Sequence, residues 1–250
     1  MNKLTLSLLA LLAPGIGLHA QTTDSTTTPT AFQKIAPTLW VLPAAAITYG
    51  AVSLHSDGLE DLNEHVKWEV SQEHPHNKLH IDNYLQWSPA VAVYALNAFG
   101  VKGKHDFVDR SLIYGMSTVI MASTVFATKD LTHEWRPDHS DQYSFPSGHT
   151  ATAFAAAEFM RKEYADQSIW YGVAGYAAAT ATGYLRLYNN KHWLSDVVAG
   201  AGVGILSTDL AYWLYPKVKR LIGEKPQLAR SMALPYYNNG SVGLSFVHQL

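Results

Sequence analysis

The sequence predicts an all-α fold, a bundle of about six helices. Three observations carry that prediction. Six apolar segments of helical length recur along the chain: Ala36–Leu54, Pro89–Phe99, Leu112–Thr128, Ala151–Met160, Ile169–Tyr184 and Val197–Tyr215. They are rich in Ala and Gly, which favours close approach of one helix to another, and short polar connections separate them. None shows the apolar–polar alternation of a half-buried strand, and no internal repeat links them.

At 250 residues the chain is long enough for one domain with a substantial core. Charged residues make up only 15% against 48% apolar, lean in charge even for a soluble domain. A formal net charge of −2 gives no support to nucleic-acid binding. With no cysteine, disulfides, thiolate catalysis and thiolate metal sites are excluded.

In chain order, Asn2-Lys3, the apolar run Leu4–Leu18 and then His19-Ala20-Gln21 read as an export signal, residues 1–20, cleaved after Ala20. Leu18 is bulky for the −3 position, and a retained membrane anchor is the competing reading. Residues 21–35 form a polar, threonine-rich tether. Ala36–Leu54, which contains Pro43, is long enough to span a bilayer. Asp57 then caps a helix whose Leu59, Leu62, Val66 and Val70 fall on one face. Residues 55–87 carry seven Asp/Glu against Lys67 and Lys78, which marks the other face as solvated. His65, His74, His76 and His80 lie along this polar stretch and are read as surface residues, not as metal ligands. After the basic run Lys217–Arg220, residues 223–250 form a linker and a β-hairpin, with Asn238-Asn239-Gly240 as its turn.

The chemistry lies between Lys129 and Asp196. Lys129 ends an apolar helix, and Arg136 precedes Pro137, which biases it toward an extended backbone. Both are placed to converge on an anion, Arg as a planar fork and Lys as a mobile point charge. Pro146-Ser147-Gly148-His149 leads directly into a helix. Unpaired N–H groups at such a helix start, with the macrodipole, favour a bound phosphoryl group. Gly148 permits close backbone approach, the Ser147 hydroxyl has a proton to donate, and His149 at the rim suits a general acid. Arg186, on the connecting loop, supplies a third cation. His192 and Asp196 are four residues apart at the start of a helix, so the carboxylate orients one ring nitrogen and leaves the other as a nucleophile. Three cations, two histidines and one carboxylate suit phosphoryl transfer, where positioning and charge neutralisation do most of the catalysis. His133, Asp138, His139 and Asp141 share the same loop and invite a metal; a divalent ion there would duplicate the cations, so no metal or other cofactor is assigned.

The three ordered blocks resemble the signature of the type 2 phosphatidic acid phosphatase / vanadium-dependent haloperoxidase superfamily, in particular its bacterial lipid phosphatase branch. The resemblance covers residues 88–213, inside a helical phosphatase domain at 36–222. It implies that His192 attacks phosphorus, that Asp196 steadies it, and that His149 protonates the leaving group and later activates water. It implies further that Lys129, Arg136, Ser147, Gly148 and Arg186 hold the phosphoryl oxygens. Leu185 departs from the pattern, where many members carry Ser before the third-block Arg. The expected substrate is a lipid phosphomonoester or pyrophosphate, hydrolysed without metal at a membrane, with the site facing the periplasm. The alternatives are a soluble periplasmic acid phosphatase of broad specificity and, last, a vanadate-dependent haloperoxidase. Topology leaves a conflict. If all six segments span, Lys102, Lys104, Arg110, Arg161, Lys162 and the basic 217–230 stretch fall on one side and every catalytic block on the other, as the positive-inside rule asks. Six spans need a cytoplasmic start, however, whereas a cleaved signal leaves residue 21 outside.

Overall fold

The computed structural model describes residues 36–73, 76–222, 231–238 and 241–248. The expected signal segment and tether lie outside these residues. Eight α-helices occur among the described residues: α1 Ala36–Ser53, α2 Asp57–Lys67, α3 Asp82–Leu85, α4 Ser88–Ala98, α5 Phe107–Thr132, α6 Gly148–Tyr164, α7 Ile169–Tyr188 and α8 Leu194–Ile222. The all-α class and all six apolar segments are therefore present. The expected bundle of about six becomes eight because the polar 55–87 stretch adds the helix expected from Asp57 and, beyond the expectation, the short α3. Beyond the bundle, β1 Ser231–Asn238 pairs antiparallel with β2 Ser241–His248, Asn238 opposite Ser241.

The central element is α6. Twelve of its seventeen residues are buried, including Ala151, Ala153, Ala155, Ala156, Ala157 and Phe159. A helix covered on most sides needs small residues, because each neighbour must come close on a different face. Helices α4, α5, α7 and α8 pack around it, and α1 packs on α8. Gly200 and Gly204 of α8 set the closest approach. A Cβ at Gly200 would stand 2.6 Å from the Ser147 carbonyl, and one at Gly204 would strike the Ala151 carbonyl. Since α8 carries Asp196 and α6 begins at Gly148, this contact brings the second and third blocks together.

Local signals place the helix ends. Asp106 caps α5, its side chain accepting from the Asp109 amide at 2.8 Å, and His133 closes that helix in the left-handed region at φ 49°. Ser168 caps α7 and Ser147 caps α6. The cap of α2 is Ser56 rather than the expected Asp57, which instead lies in the first turn, where its charge favours the helix N-terminus. That helix continues as a π-helical turn, Trp68–Gln72. Its inward residue is Asn63, whose Nδ2 donates to Ser195 Oγ at 2.9 Å while its Oδ1 accepts from the Ser195 amide at 3.1 Å.

The opposite end of the bundle is a buried polar network. Glu163 Oε1 accepts from His105 Nδ1 and from the Tyr212 hydroxyl, both at 2.7 Å, and Lys162 pairs with Asp209 at 2.6 Å. Among the described residues, Phe107–Thr132 and Leu194–Leu221 are long and apolar enough to cross a membrane. Outward-facing residues of α1, α5 and α7 are strongly apolar: Leu42, Phe126, Leu131, Ile169 and Trp170 are all at least two-thirds exposed.

Candidate active site

His192 sits in the turn between α7 and α8, almost fully buried at 4% exposure. Arg136 Nη1 donates to His192 Nε2 at 3.2 Å. Since a guanidinium only donates, Nε2 carries a lone pair and the ring proton belongs on Nδ1. Nδ1 lies 3.3 Å from Asp196 Oδ2 and 3.4 Å from Ser144 Oγ. Asp196 is fully buried in the first turn of α8. Its Oδ2 also accepts from the Ser144 hydroxyl at 2.5 Å and the Trp193 amide at 2.9 Å, while its Oδ1 is buried without a partner. The result is a neutral imidazole with an oriented Nε2 lone pair. Burial, and then the charges of Arg186, Arg136, Lys129 and His149, hold the His192 pKa well below its usual value. Direct contacts link these groups: Arg136 meets His192, Lys129 reaches the carbonyl of Ser144, whose hydroxyl bonds Asp196, and Arg186 pairs with Asp82, next to the Asn83 that bonds His149.

The cations are each held in place. Arg136 Nε donates to both oxygens of Asp141 at 2.8 Å, and Nη1 also donates to the Lys191 carbonyl at 3.0 Å. Lys129, in the last turn of α5, donates to the carbonyls of Tyr143 and Ser144. Arg186 pairs through Nη1 with Asp82 Oδ2, and its Nε is buried without a partner. Arg186 belongs to the last turn of α7, not to the loop the sequence reading assigned it. The helix runs on past Gly183 and closes at Asn189, whose amide bonds the Leu185 carbonyl at 2.9 Å. His192 likewise precedes α8 instead of opening it.

In the second block, Ser147 is fully buried as the N-cap of α6, its Oγ accepting from the Thr150 hydroxyl at 2.9 Å. Its amide donates to the Asp196 carbonyl at 3.0 Å, so the turn is fastened to α8. A Cβ on Gly148 would meet only Val125, at 3.7 Å, so packing leaves the space above this helix start open. His149 is half-buried at the rim and donates from Nε2 to Asn83 Oδ1 at 2.8 Å. Burial, then the charge of Arg186 and those of Arg136 and Lys129, push its pKa down to about 4, with Asp82 opposing.

The loop that invited a metal is committed to ion pairs. Asp141 is taken by Arg136, and Asp138 pairs with Lys191 at 2.7 Å and Lys78 at 3.5 Å. Among the described residues, no group of three or more His, Asp or Glu converges to hold a metal ion. A pocket of about 100 Å³ lined by Glu60, Asn63, Glu134, Trp193 and Ser195 lies beside the site but contains none of the three cations.

Four contacts of the candidate site carry no signal in the sequence. Asp82 falls among the acids of 55–87 whose composition marks a solvated face, yet it is fully buried against Arg186. Asn83, Ser144 and the Asn63–Ser195 pair were not singled out. No spacing signal marks them, because each meets its partner across 52 to 132 residues.

Comparison with known proteins bears on the fold and on the segment that carries the three blocks. The family model described as the PAP2 superfamily matches residues 110–220. The lipid A 1-phosphatase of Porphyromonas gingivalis is 44% identical over 54% of this chain and 30% of its own length. The bacitracin transport permease protein BcrC of Bacillus licheniformis is 32% identical over 32% of this chain and 38% of its own. The chain thus spans about a third of the length of the curated relatives it matches. The crystal structure of a transmembrane PAP2 type phosphatidylglycerolphosphate phosphatase from Bacillus subtilis shares the fold at a TM-score of 0.52. That match has 18% identity and covers 72% of this chain and 98% of the other. The segment 110–220, which holds all three blocks from Lys129 to Asp196, is thus the part of the chain that is similar to the PAP2 superfamily.

Proposed function

We propose that this protein is a phosphatase that hydrolyses a phosphomonoester or pyrophosphate of a lipid through a phosphohistidine intermediate. The observation that carries the reading is the state of His192, its Nδ1 proton turned to Asp196 at 3.3 Å and its Nε2 lone pair facing Arg136. Nε2 attacks phosphorus and forms an N–P bond as the ester P–O bond breaks, and His149 gives the leaving oxygen its proton. Water, deprotonated by His149, then attacks phosphorus, breaks the N–P bond and releases orthophosphate. Lys129, Arg136, Arg186, the Gly148 backbone and Ser147 neutralise and orient the equatorial oxygens. With the loop carboxylates engaged by Arg136 and Lys191, the reaction proceeds without a divalent ion.

The lipid assignment draws support from the apolar outer faces of α1, α5 and α7, which suit acyl chains better than water. The 44% relative makes a phosphorylated glycolipid of the lipid A kind the first candidate, ahead of phosphatidic acid, phosphatidylglycerol phosphate and polyprenyl pyrophosphate. Charge placement supports a membrane-embedded bundle with its site toward the periplasm. The catalytic blocks lie at one end of α5, α6 and α8, and Arg110, Arg161, Lys162 and Lys219 at the other.

The test compares kcat/KM for dispersed long-chain lipid phosphates and for glycerol phosphate, each with and without chelator. The lipid is expected to win by at least about a hundredfold, since tail binding is spent on positioning the head group. Equal turnover of the short ester by a protein that stays soluble without detergent would favour the acid phosphatase. Loss of activity with chelator, restored by a divalent cation, would overturn metal independence.

A further inference from the structure

The segment 76–87 lies outside all three blocks, yet it is bound to the site at four points. The His76 ring stacks on Tyr188 with centroids 3.5 Å apart and planes 10° from parallel. Asn189 accepts from the Leu79 amide at 2.8 Å and donates to the Leu79 carbonyl at 2.7 Å. Asp82 pairs with Arg186, and Asn83 meets His149. The helix between them, α3, has four residues, too few to hold itself in water. Its place is set by these tethers, and three of them reach the last turn and cap of α7. What that anchoring positions at the rim is the side chain of Asn83.

We propose that Asn83 is a positioning residue of the reaction: its Oδ1 accepts the Nε2 proton of His149, fixes the ring at the rim and keeps the imidazole able to carry the proton it delivers. The proposal rests on the reading of His149 as general acid. The groups facing His149 are unfavourable to that role. Arg186 from α7, Arg136 from the loop and Lys129 from α5 all oppose a positive ring, and His192 before α8 is neutral and offers no compensating charge. The carboxylate of Asp82 is already engaged by Arg186. An acceptor on the ring N–H stabilises the protonated form against that field, and a neutral amide does so without drawing Arg186 or Arg136 away from phosphate. Among the described residues Asn83 makes no hydrogen bond to a phosphate-binding group, so it acts on the proton and not on substrate affinity.

The test uses the full chain in detergent, with Asn83→Leu, which removes the acceptor, and Asn83→Asp, which keeps and charges it. The His149 pKa is read by NMR on histidine-labelled protein, and pH profiles of kcat are recorded for an alkyl lipid phosphate and for nitrophenyl phosphate. For the Leu variant the His149 pKa and the basic limb of kcat should both fall by about one unit. Turnover of the alkyl ester should drop about tenfold, with KM within about twofold and nitrophenyl phosphate much less affected. In the Asp variant both pH values should rise; should the Leu variant not fold, this shift alone decides. If neither variant moves the His149 pKa, or both move it the same way, the proposal is wrong. If the pKa moves and the kcat limb does not, the catalytic role falls. His149→Ala then shows whether the acid reading itself fails, by losing equally on alkyl and nitrophenyl esters.

Discussion

Asp82 and Arg186, 104 residues apart in sequence, form an ion pair almost wholly removed from solvent. Arg186 is assigned to phosphate, so its guanidinium serves a carboxylate when the site is empty. Asp82 Oδ1 and Arg186 Nε are both buried without partners. The pair keeps a cation ready in a site that would otherwise hold it uncompensated.

Asp82→Ala should therefore cost about 3–5 kcal/mol, the loss expected when one partner of a buried pair is removed. Vanadate, a mimic of the phosphoryl transition state, should raise the Tm of the variant more than that of the parent, because the anion replaces the missing carboxylate. A thermal-shift series with and without vanadate checks this. A smaller shift in the variant would show that Asp82 is needed to build the anion site.

Asn63 and Ser195 exchange two hydrogen bonds and fasten α2 to the turn of α8 that carries Asp196. Asn63→Ala leaves a buried donor and acceptor on Ser195 unpaired and should destabilise by about 1–3 kcal/mol. Denaturant unfolding in detergent measures it. A change under about 0.5 kcal/mol would mean that water takes over both bonds.

The pH dependence follows from the two histidines. Burial and the surrounding cations depress both, His149 to about 4, so His192 is neutral throughout the working range and sets no limb there. His149 must be protonated to act as acid, so activity falls as pH rises through its pKa. A bound phosphoryl dianion offsets the field of Arg186, Arg136 and Lys129 and raises that pKa. The basic limb of kcat should thus lie at higher pH than that of kcat/KM, which reports the free enzyme. Coincident limbs, or the reverse order, would contradict the assignment.

Much of the candidate site can be proposed from the sequence, because phosphoryl transfer would ask for fixed residue types at short spacings. Lys129 and Arg136, Ser147 to His149, and His192 with Asp196 each sit within one turn and helix end. The misreadings have physical causes. Arg186 reads as a loop residue because the apolar segment is bounded at Tyr184, yet α7 continues to Tyr188. Asp82 reads as a surface acid because six other carboxylates of the 55–87 stretch share its composition, and only the fold reveals its partner. Asn83 and Ser144 meet His149 and Asp196 over 66 and 52 residues, distances at which a single sequence carries no pairing signal.

The central claim is that His192 Nε2 is the nucleophile. Rapid quenching of turnover with phosphorus-labelled substrate, followed by peptide mapping, tests it most directly. The account predicts an acid-labile, alkali-stable label on His192, absent in His192→Ala and longer-lived in His149→Ala, where water is no longer activated. A label on Ser147 instead, or full turnover by His192→Ala, would contradict it.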